Sequence, residues 1–253
     1  MKFECLYSRV AEQIVHCIEN AVGDSIREDI RKNNLRTTNS VPSRIWDLLN
    51  TALLASLEAT DCCVSTAHRG PWQMVIIFEK TSGSVITLMR EKRFAELKRA
   101  QQRRLRMHYV DMLPKMFNRE LLADCGQQSF LPKEFSDEND LAILVQRLLS
   151  DLVSDISIVR NHVLVLFDTS GFQLTSVRAV MITPNLEIAP RCEADWSKYI
   201  TTNESVIVEQ VNEPLAPAND PHHGLKFKAK ATARQQHHVR LLKEEDTVKA
   251  GNN

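Results

Sequence analysis

The sequence is short of the motifs that mark well-known enzyme classes. Its 253 residues include only seven glycines, which form neither a Walker phosphate-binding loop nor the glycine-rich turn of a dinucleotide-binding fold. There is no G-x-S-x-G nucleophile motif, and none of the six cysteines stands in a catalytic motif. These absences exclude the well-marked families of nucleotide-dependent enzymes and of serine or cysteine hydrolases.

Signals for metal binding, membrane insertion and secretion are also missing. No C-x-x-C pair occurs, and the adjacent Cys62 and Cys63 would point to opposite faces of a strand, so the cysteines indicate no zinc site. No apolar run approaches the ~20 residues that a membrane span needs. Charged residues at positions 4, 9 and 12 interrupt the N-terminal segment, which is therefore not a secretory signal. We expect a cytoplasmic protein with free thiols, no metal, no cofactor and no membrane contact.

Positive charge is present in two local concentrations. The 32 Lys and Arg residues balance the 32 Asp and Glu residues, so no overall field draws the protein to nucleic acid or membranes. Residues 90–106, however, contain eight basic and two acidic residues, and residues 226–243 contain six basic residues and no acid. Each stretch therefore carries a local charge of +6.

Apolar periodicity predicts an α+β fold, with antiparallel β-hairpins in one sheet flanked by amphipathic helices. Helices are predicted at residues 3–32, 43–59, 91–106, 108–122 and 137–153, with a kink at Pro114 and a last helical turn at residues 194–199. Strands are predicted at residues 62–66, 72–79, 84–89, 162–168 and 172–183. This divides the chain into an N-terminal helix (1–36), an α+β core domain (37–200) and a largely disordered basic tail (201–253).

The central hairpin organises the rest of the interpretation. Two apolar runs flank Lys80-Thr81-Ser82-Gly83, which has the chemistry of a turn. With this turn, Glu79 faces Ser84, and the same register places Trp72 opposite Glu91. The beginning of the first strand then lies beside the end of the second, so that a tryptophan meets a group of basic residues.

A second stretch repeats this pattern. Residues 75–87 and 163–177 each contain an apolar strand, a Phe followed by an acid, Thr-Ser-Gly and another strand, and an amphipathic helix precedes each. The sequence leaves open whether the chain holds two helix–hairpin repeats or the same turn chemistry used twice.

The open end of the central hairpin is the candidate binding surface. A tryptophan can stack on a base, and cationic side chains can contact phosphate. The leading hypothesis is therefore a non-catalytic protein that binds, or is associated with, DNA or RNA. The candidate nucleic-acid-binding residues are Arg69, Trp72, Arg90, Lys92, Arg93, Lys98 and Arg99. The competing interpretation is that Trp72 anchors the core and the cations only cover a helix.

Two other functions stay open. The apolar face of residues 3–32 would suit a protein-interaction module or a homodimer. The order of elements is also similar to that of the restriction-endonuclease-like nucleases, which hold metal with an acid on one strand and Glu-x-Lys on the next. Glu79 and Glu91-Lys92-Arg93 are the available residues, but Arg93 replaces the lysine and the two carboxylates lie roughly 23 Å apart along an ideal hairpin. A metal-dependent or degenerate nuclease therefore remains an alternative without a clear active site.

The chain resembles an uncharacterised bacterial protein family. The resemblance rests on RGPW (69–72), TLMREKRF (87–94) and HVLVLF (162–167), and it covers roughly residues 40–200. It includes no catalytic motif, so it implies no activity for this chain.

Overall fold

Six strands form one mixed sheet at the centre of the protein. The computed structural model describes residues 8–58, 60–69, 72–104, 107–121 and 138–201. The strands are β1 (Cys62–Arg69), β2 (Trp72–Glu79), β3 (Ser84–Arg90), β4 (Asn161–Ser170), β5 (Gln173–Ile182) and β6 (Ile188–Asp195). They lie in the order β1-β2-β3-β4-β5-β6, and every neighbouring pair is antiparallel except the parallel pair β3 and β4. The predicted α+β class is confirmed.

Helices cover both faces of this sheet. They are α1 (Ser8–Val22), α2 (Asp24–Lys32), α3 (Val41–Leu57), α4 (Glu91–Arg99), α5 (Tyr109–Phe117) and α6 (Glu138–Leu149). Successive side chains on a strand point to opposite faces. On β4, Val163 and Val165 therefore join a core with α1 to α3, whereas Leu164 and Leu166 join a second core with α4 to α6. The sheet is the middle layer of a three-layer structure.

The N-terminal segment departs from the prediction of one continuous helix. Gly23 separates α1 from α2 and has a non-helical ψ of −101°. A side chain at this position would place its Cβ 3.0 Å from the Glu19 carbonyl oxygen, so glycine suits this close turn. Ile14, Ile18 and Ile26 are fully buried in the first core. The apolar face that suggested a dimer is therefore covered by the chain's own sheet and α3.

Other element predictions were correct in kind and wrong in extent. The predicted basic helix ends at Arg99 and continues only as a 3-10 turn over Gln101–Arg103. Pro114 lies inside α5. β6 was not predicted; its residues IAPRCEAD include a proline and several charges, and Arg191 within it has a positive φ of 62°. The predicted turn at residues 194–199 is reduced to a 3-10 turn over Ser197–Tyr199.

The two similar helix–hairpin stretches are not packed alike. α3 precedes the first hairpin and packs in the core on one face of the sheet, while α6 precedes the second and packs on the other face. Thr-Ser-Gly forms the loop between β2 and β3, but Thr169 and Ser170 are still paired residues of β4. The two stretches therefore share strand and turn chemistry, but their hairpins and the helices before them are packed differently. This difference argues against a duplication.

The described residues belong to one compact unit, and α1 and α2 contribute to the same core as the sheet. The predicted tail lies outside the described residues except for Thr201. None of the helices in the described ranges combines the length and apolar character that would be needed to cross a membrane.

Candidate binding site

The central hairpin is paired only near its turn. Glu79 pairs with Ser84, Phe78 with Val85 and Ile77 with Ile86, which is the predicted register. Pairing between β2 and β3 ends there. On their other edges, β2 pairs along its whole length with β1, and β3 pairs along its whole length with β4. The extrapolated pairing of Trp72 with Glu91 was therefore wrong, because β2 and β3 separate.

A cavity of about 670 Å³ lies where the two strands separate. This volume is within the ~300–1,000 Å³ that is typical of small-molecule sites. Side chains from both faces of the sheet reach it, because its lining includes residues of α3 as well as the start of α5. The lining residues are Asn39, Pro42, Ser43, Trp46, Trp72, Met74, Leu88, Met89, Arg90, Arg93, His108 and Tyr109.

Two tryptophans form a corner in the cavity wall. The ring centroids of Trp46 and Trp72 are 6.3 Å apart, and the ring planes meet at 81°. Trp46 also packs against Phe167, with ring centroids 5.7 Å apart. The Trp72 side chain remains 42% exposed, so one large aromatic ring at the mouth is available to a ligand.

Arg90 contributes a half-buried cation to the same cavity. Its guanidinium carbon lies 5.7 Å from the centroid of the Phe167 ring, and Nη1 donates a hydrogen bond of 3.3 Å to Thr169 Oγ1. Burial lowers the pKa of Arg90, and the charge of Asp168 offsets part of that effect. Within the part of the chain that the structure describes, no carboxylate forms an ion pair with Arg90. A guanidinium has five N–H donors, so Arg90 retains donors for an anion.

The start of α5 forms the opposite wall. Arg104 binds the Asp111 carboxylate through both terminal nitrogens, with one Nη2 to Oδ1 distance of 2.6 Å. Asp111 also accepts from the His108 backbone N–H, and His108 Nδ1 accepts from the Val110 N–H. The Tyr109 hydroxyl donates to the Leu88 carbonyl oxygen at 3.2 Å. These hydrogen bonds at the start of α5 hold His108 and Tyr109 against β3.

The structure brings together part of the predicted cationic cluster. Trp72, Arg90 and Arg93 line the cavity, and Lys92 is exposed on the first turn of α4. Lys98 pairs with Glu187, and Arg99 Nε donates to the carbonyl oxygen of Ala95 in its own helix. Arg69 ends β1 beside Trp72 in the backbone register, and its side chain lies outside the described set.

Trp46, His108 and Tyr109 were missed as site residues. One signal for Trp46 was visible in the sequence. The buried residues of α3 recur every four positions and include Ile45, Leu49 and Leu53. Trp46 follows Ile45 directly, so this large aromatic side chain does not belong to the buried row. Nothing comparable marked His108 and Tyr109, which reach the cavity only because α5 folds back over β3.

The two nuclease candidates have structural roles at opposite ends of β3. The Glu79 carboxylate accepts hydrogen bonds from the backbone of Thr81 at 2.9 Å and of Ser82 at 2.7 Å. Burial raises the pKa of Glu79, but these hydrogen bonds outweigh that effect and the net pKa is lowered. Glu91 instead binds Arg178 of β5. Over the described ranges, no three His, Cys, Asp or Glu side chains are placed to hold a metal ion.

Comparison with known proteins gives a family without an assigned role. The chain matches a family of unknown function (DUF5986) over residues 5–244, which is nearly its whole length. No curated protein and no solved structure matches it. The resemblance to an uncharacterised family that residues 40–200 indicated is confirmed and extends further along the sequence. The chain belongs to the DUF5986 family of unknown function.

Proposed function

We propose that this protein is a non-catalytic nucleic-acid-binding protein that holds single-stranded DNA or RNA at the mouth of the cavity. The observation that carries the proposal is the position of Trp72, which is 42% exposed and lines the same cavity as Arg90 and Arg93. An aromatic side chain beside cations is the combination that single-strand binding sites use.

Trp72 would supply most of the stacking energy. Stacking of a base on an aromatic side chain is worth about 1–3 kcal/mol by alanine substitution, and it tolerates any base because every base has a π face. Lys92 and Arg93 are exposed on the first turn of α4, and Arg93 lines the same cavity as this ring. In this proposal Lys92 contacts a phosphate beside the stacked base, and Arg93 does so by exchanging its exposed ion pair with Glu96.

The arrangement favours a single strand over a duplex. Affinity for duplex comes mainly from many phosphate contacts, but ion pairs already occupy much of the basic charge on this face. Lys98 pairs with Glu187 at 2.5 Å, Arg93 with Glu96 at 3.0 Å, and Arg178 with both Glu91 and Glu193. The recognition element is concave and aromatic, and only an unpaired base can present its ring to it.

A binding titration tests the proposal. Labelled single-stranded DNA, single-stranded RNA and duplex DNA of matched length would be titrated with the full-length protein at low and at physiological salt. We expect the single strands to bind more tightly than the duplex, with affinity falling as salt rises. Trp72→Ala should weaken binding, and the double reversal Lys92→Glu, Arg93→Glu should weaken it further.

Matched controls are available on α6. Ile143→Ala removes an exposed apolar side chain that is 58% accessible, and Arg147→Glu reverses an exposed charge. Both positions lie outside the residues that line the cavity. Binding that is absent at low salt, or that the site variants and the α6 variants alter equally, would reject the proposal.

A further inference from the structure

We infer that the cavity takes one complete nucleotide that ends in a phosphomonoester, with the base in the Trp46–Trp72 corner and the phosphate on Arg90. The inference deepens the proposed function. Its strand-end form, in which the nucleotide is the terminal residue of a single strand, rests on that function. A free mononucleotide presents the same chemistry, and the experiment below separates the two sources.

The corner geometry selects a planar ring. A ring that stacks on one indole of the corner presents its own edge to the other indole, because the two planes are 81° apart. Offset stacking and edge-to-face contact are the two favoured arrangements of aromatic rings. A single flat ligand can therefore make a favoured aromatic contact with both tryptophans at once. An aliphatic ligand would gain only the free energy of burying its apolar surface.

Arg90 selects an anion at the inner side of this corner. Its guanidinium is fixed between Phe167 and Thr169, and no carboxylate of the described residues forms an ion pair with it, although Asp168 acts on it through its charge. Guanidinium binds phosphate through two parallel hydrogen bonds. Because Arg90 is half-buried, an anion there would be partly shielded from water, and the contact would be stronger than one on an open surface.

Size and charge indicate a terminal phosphate. A cavity of about 670 Å³ is that of a small-molecule site, and a phosphodiester within a strand would need room for neighbours on both sides. A phosphomonoester also carries a charge of about −1.5 to −2 at neutral pH, compared with about −1 for each phosphate of the backbone. A second cation, Arg93, lines the same cavity, and it would meet this extra charge by exchanging its exposed ion pair with Glu96.

Calorimetric titration of the full-length protein tests the inference with defined probes. The probes are adenosine monophosphate, uridine monophosphate, adenosine, inorganic phosphate, and one single-stranded oligonucleotide in 5′-phosphorylated, 3′-phosphorylated, unphosphorylated and circular forms. We expect the monophosphates to bind about 10- to 100-fold more tightly than adenosine, which is the range for loss of charged hydrogen bonds. One phosphorylated linear form should bind more tightly than the circular form.

Variants link these differences to the cavity. Arg90→Gln should remove the advantage of monophosphate over adenosine, and Arg90→Lys should restore part of it. Ser43→Phe, which adds a ring to the lining, should block all nucleotide probes. Arg147→Gln, on α6, should change nothing. Thermal melting of each variant, compared with the parent protein, separates loss of binding from loss of folding.

Each outcome has one meaning. Oligonucleotide binding that ignores the end group, without binding of monophosphates, would overturn the inference and leave the proposed function standing. Monophosphate binding without oligonucleotide binding would support the nucleotide pocket and reject the proposed function. Monophosphate binding that Arg90→Gln leaves unchanged would overturn the role of Arg90, and binding of no probe would overturn both proposals.

Discussion

Trp72 is a side chain at which binding and folding can be separated. It is 42% exposed, and its described ring contact is the edge-to-face contact with Trp46. Such a contact is worth about 0.5–1.5 kcal/mol. Because the partly buried ring also loses its burial, we expect Trp72→Ala to lower the free energy of unfolding by about 1–2 kcal/mol, while it weakens single-strand binding by about 5- to 150-fold.

Urea unfolding and a binding titration on the same variant check this expectation. Trp72→Phe is the matched control, because it keeps an aromatic ring and should retain most of the affinity. A variant that unfolds readily would show that Trp72 is a core anchor, as the competing interpretation of the sequence holds.

His162 makes stability depend on pH. The side chain is fully buried, its Nε2 lies 2.8 Å from Thr87 Oγ1, and no hydrogen-bond partner for Nδ1 exists in the described part of the chain. Burial lowers the pKa of His162 to about 3 from its usual 6.5. Between these two values the unfolded chain binds a proton that the folded protein does not, so stability falls as the pH falls below about 6.5.

We expect the free energy of unfolding to decrease by roughly 1 kcal/mol per pH unit between about pH 6 and pH 4 from this group alone. The double variant His162→Phe, Thr87→Val removes both polar partners and should show a shallower dependence. Urea unfolding at several pH values measures the slope for both proteins. Equal slopes would mean that His162 is not the group that titrates.

Some residues of the candidate site could be predicted from the sequence, and others could not. Trp72, Arg90 and Arg93 were predicted because they flank a recognisable turn at a fixed spacing. Lys98 of the predicted cluster pairs with Glu187, which is 89 positions away in the sequence. A pair between such distant residues cannot be predicted from the local sequence pattern. His108 and Tyr109 were missed for the same reason.

The turn between β2 and β3 and the turn between β4 and β5 each contain a glycine with a positive φ, and the two glycines differ in a way that can be measured. Gly83 has φ of 70° and Gly171 has φ of 57°, a region where other residues are strained by roughly 1–2 kcal/mol. A Cβ on Gly83 would lie 3.0 Å from Arg160 Cγ and 3.1 Å from the Ile158 carbonyl oxygen, whereas a Cβ on Gly171 would meet nothing within 4 Å. The Gly83 turn is therefore packed, and the Gly171 turn is open.

We expect Gly171→Ala to cost about 1 kcal/mol of stability from backbone strain alone. Gly83→Ala should cost at least about 1 kcal/mol more, because backbone and side-chain atoms must also move. Thermal unfolding of the two variants measures the difference. Gly171→Asn should recover much of the loss, since asparagine tolerates this conformation, and equal costs at the two glycines would contradict the packing at Gly83.

At the level of elements, local chemistry predicted the hairpins but not how they are joined. Lys80 to Gly83 and the flanking apolar runs were sufficient for the turn and its register. The separation of β2 from β3 was not predictable, because beyond Ile77 each strand keeps its partner on the other side, β1 for β2 and β4 for β3, and both partners are set by the tertiary fold. β6 was missed because it is stabilised by pairing with β5 and not by strand-forming residues of its own.

At the scale of the whole molecule, the N-terminal helices α1 and α2 are part of the hydrophobic core. Ile18 on α1 is fully buried, and burying an unpaired charge there would cost several kcal/mol. We therefore expect Ile18→Asp to unfold the protein. A dimer held by this face would instead become a folded monomer.

Circular dichroism and light scattering distinguish these results. The matched control is Asn20→Asp, which introduces the same charge two residues away on the exposed face of the same helix. It should leave both signals unchanged. A soluble, folded Ile18→Asp protein of half the parent mass would restore the dimer alternative.

The short seam between β2 and β3 joins two of the six strands to the rest of the sheet. Three residue pairs join these strands, compared with eight between β1 and β2 and seven between β3 and β4. The β1–β2 ribbon is therefore attached to the other strands at one corner, and its backbone amides should exchange with deuterium together and earlier than those of β4. A ligand that touches Trp72 on β2 and Arg90 on β3 would tie the ribbon down. Slower exchange in β1 and β2, with no change in β5, would be the mark of a molecule bridging that gap.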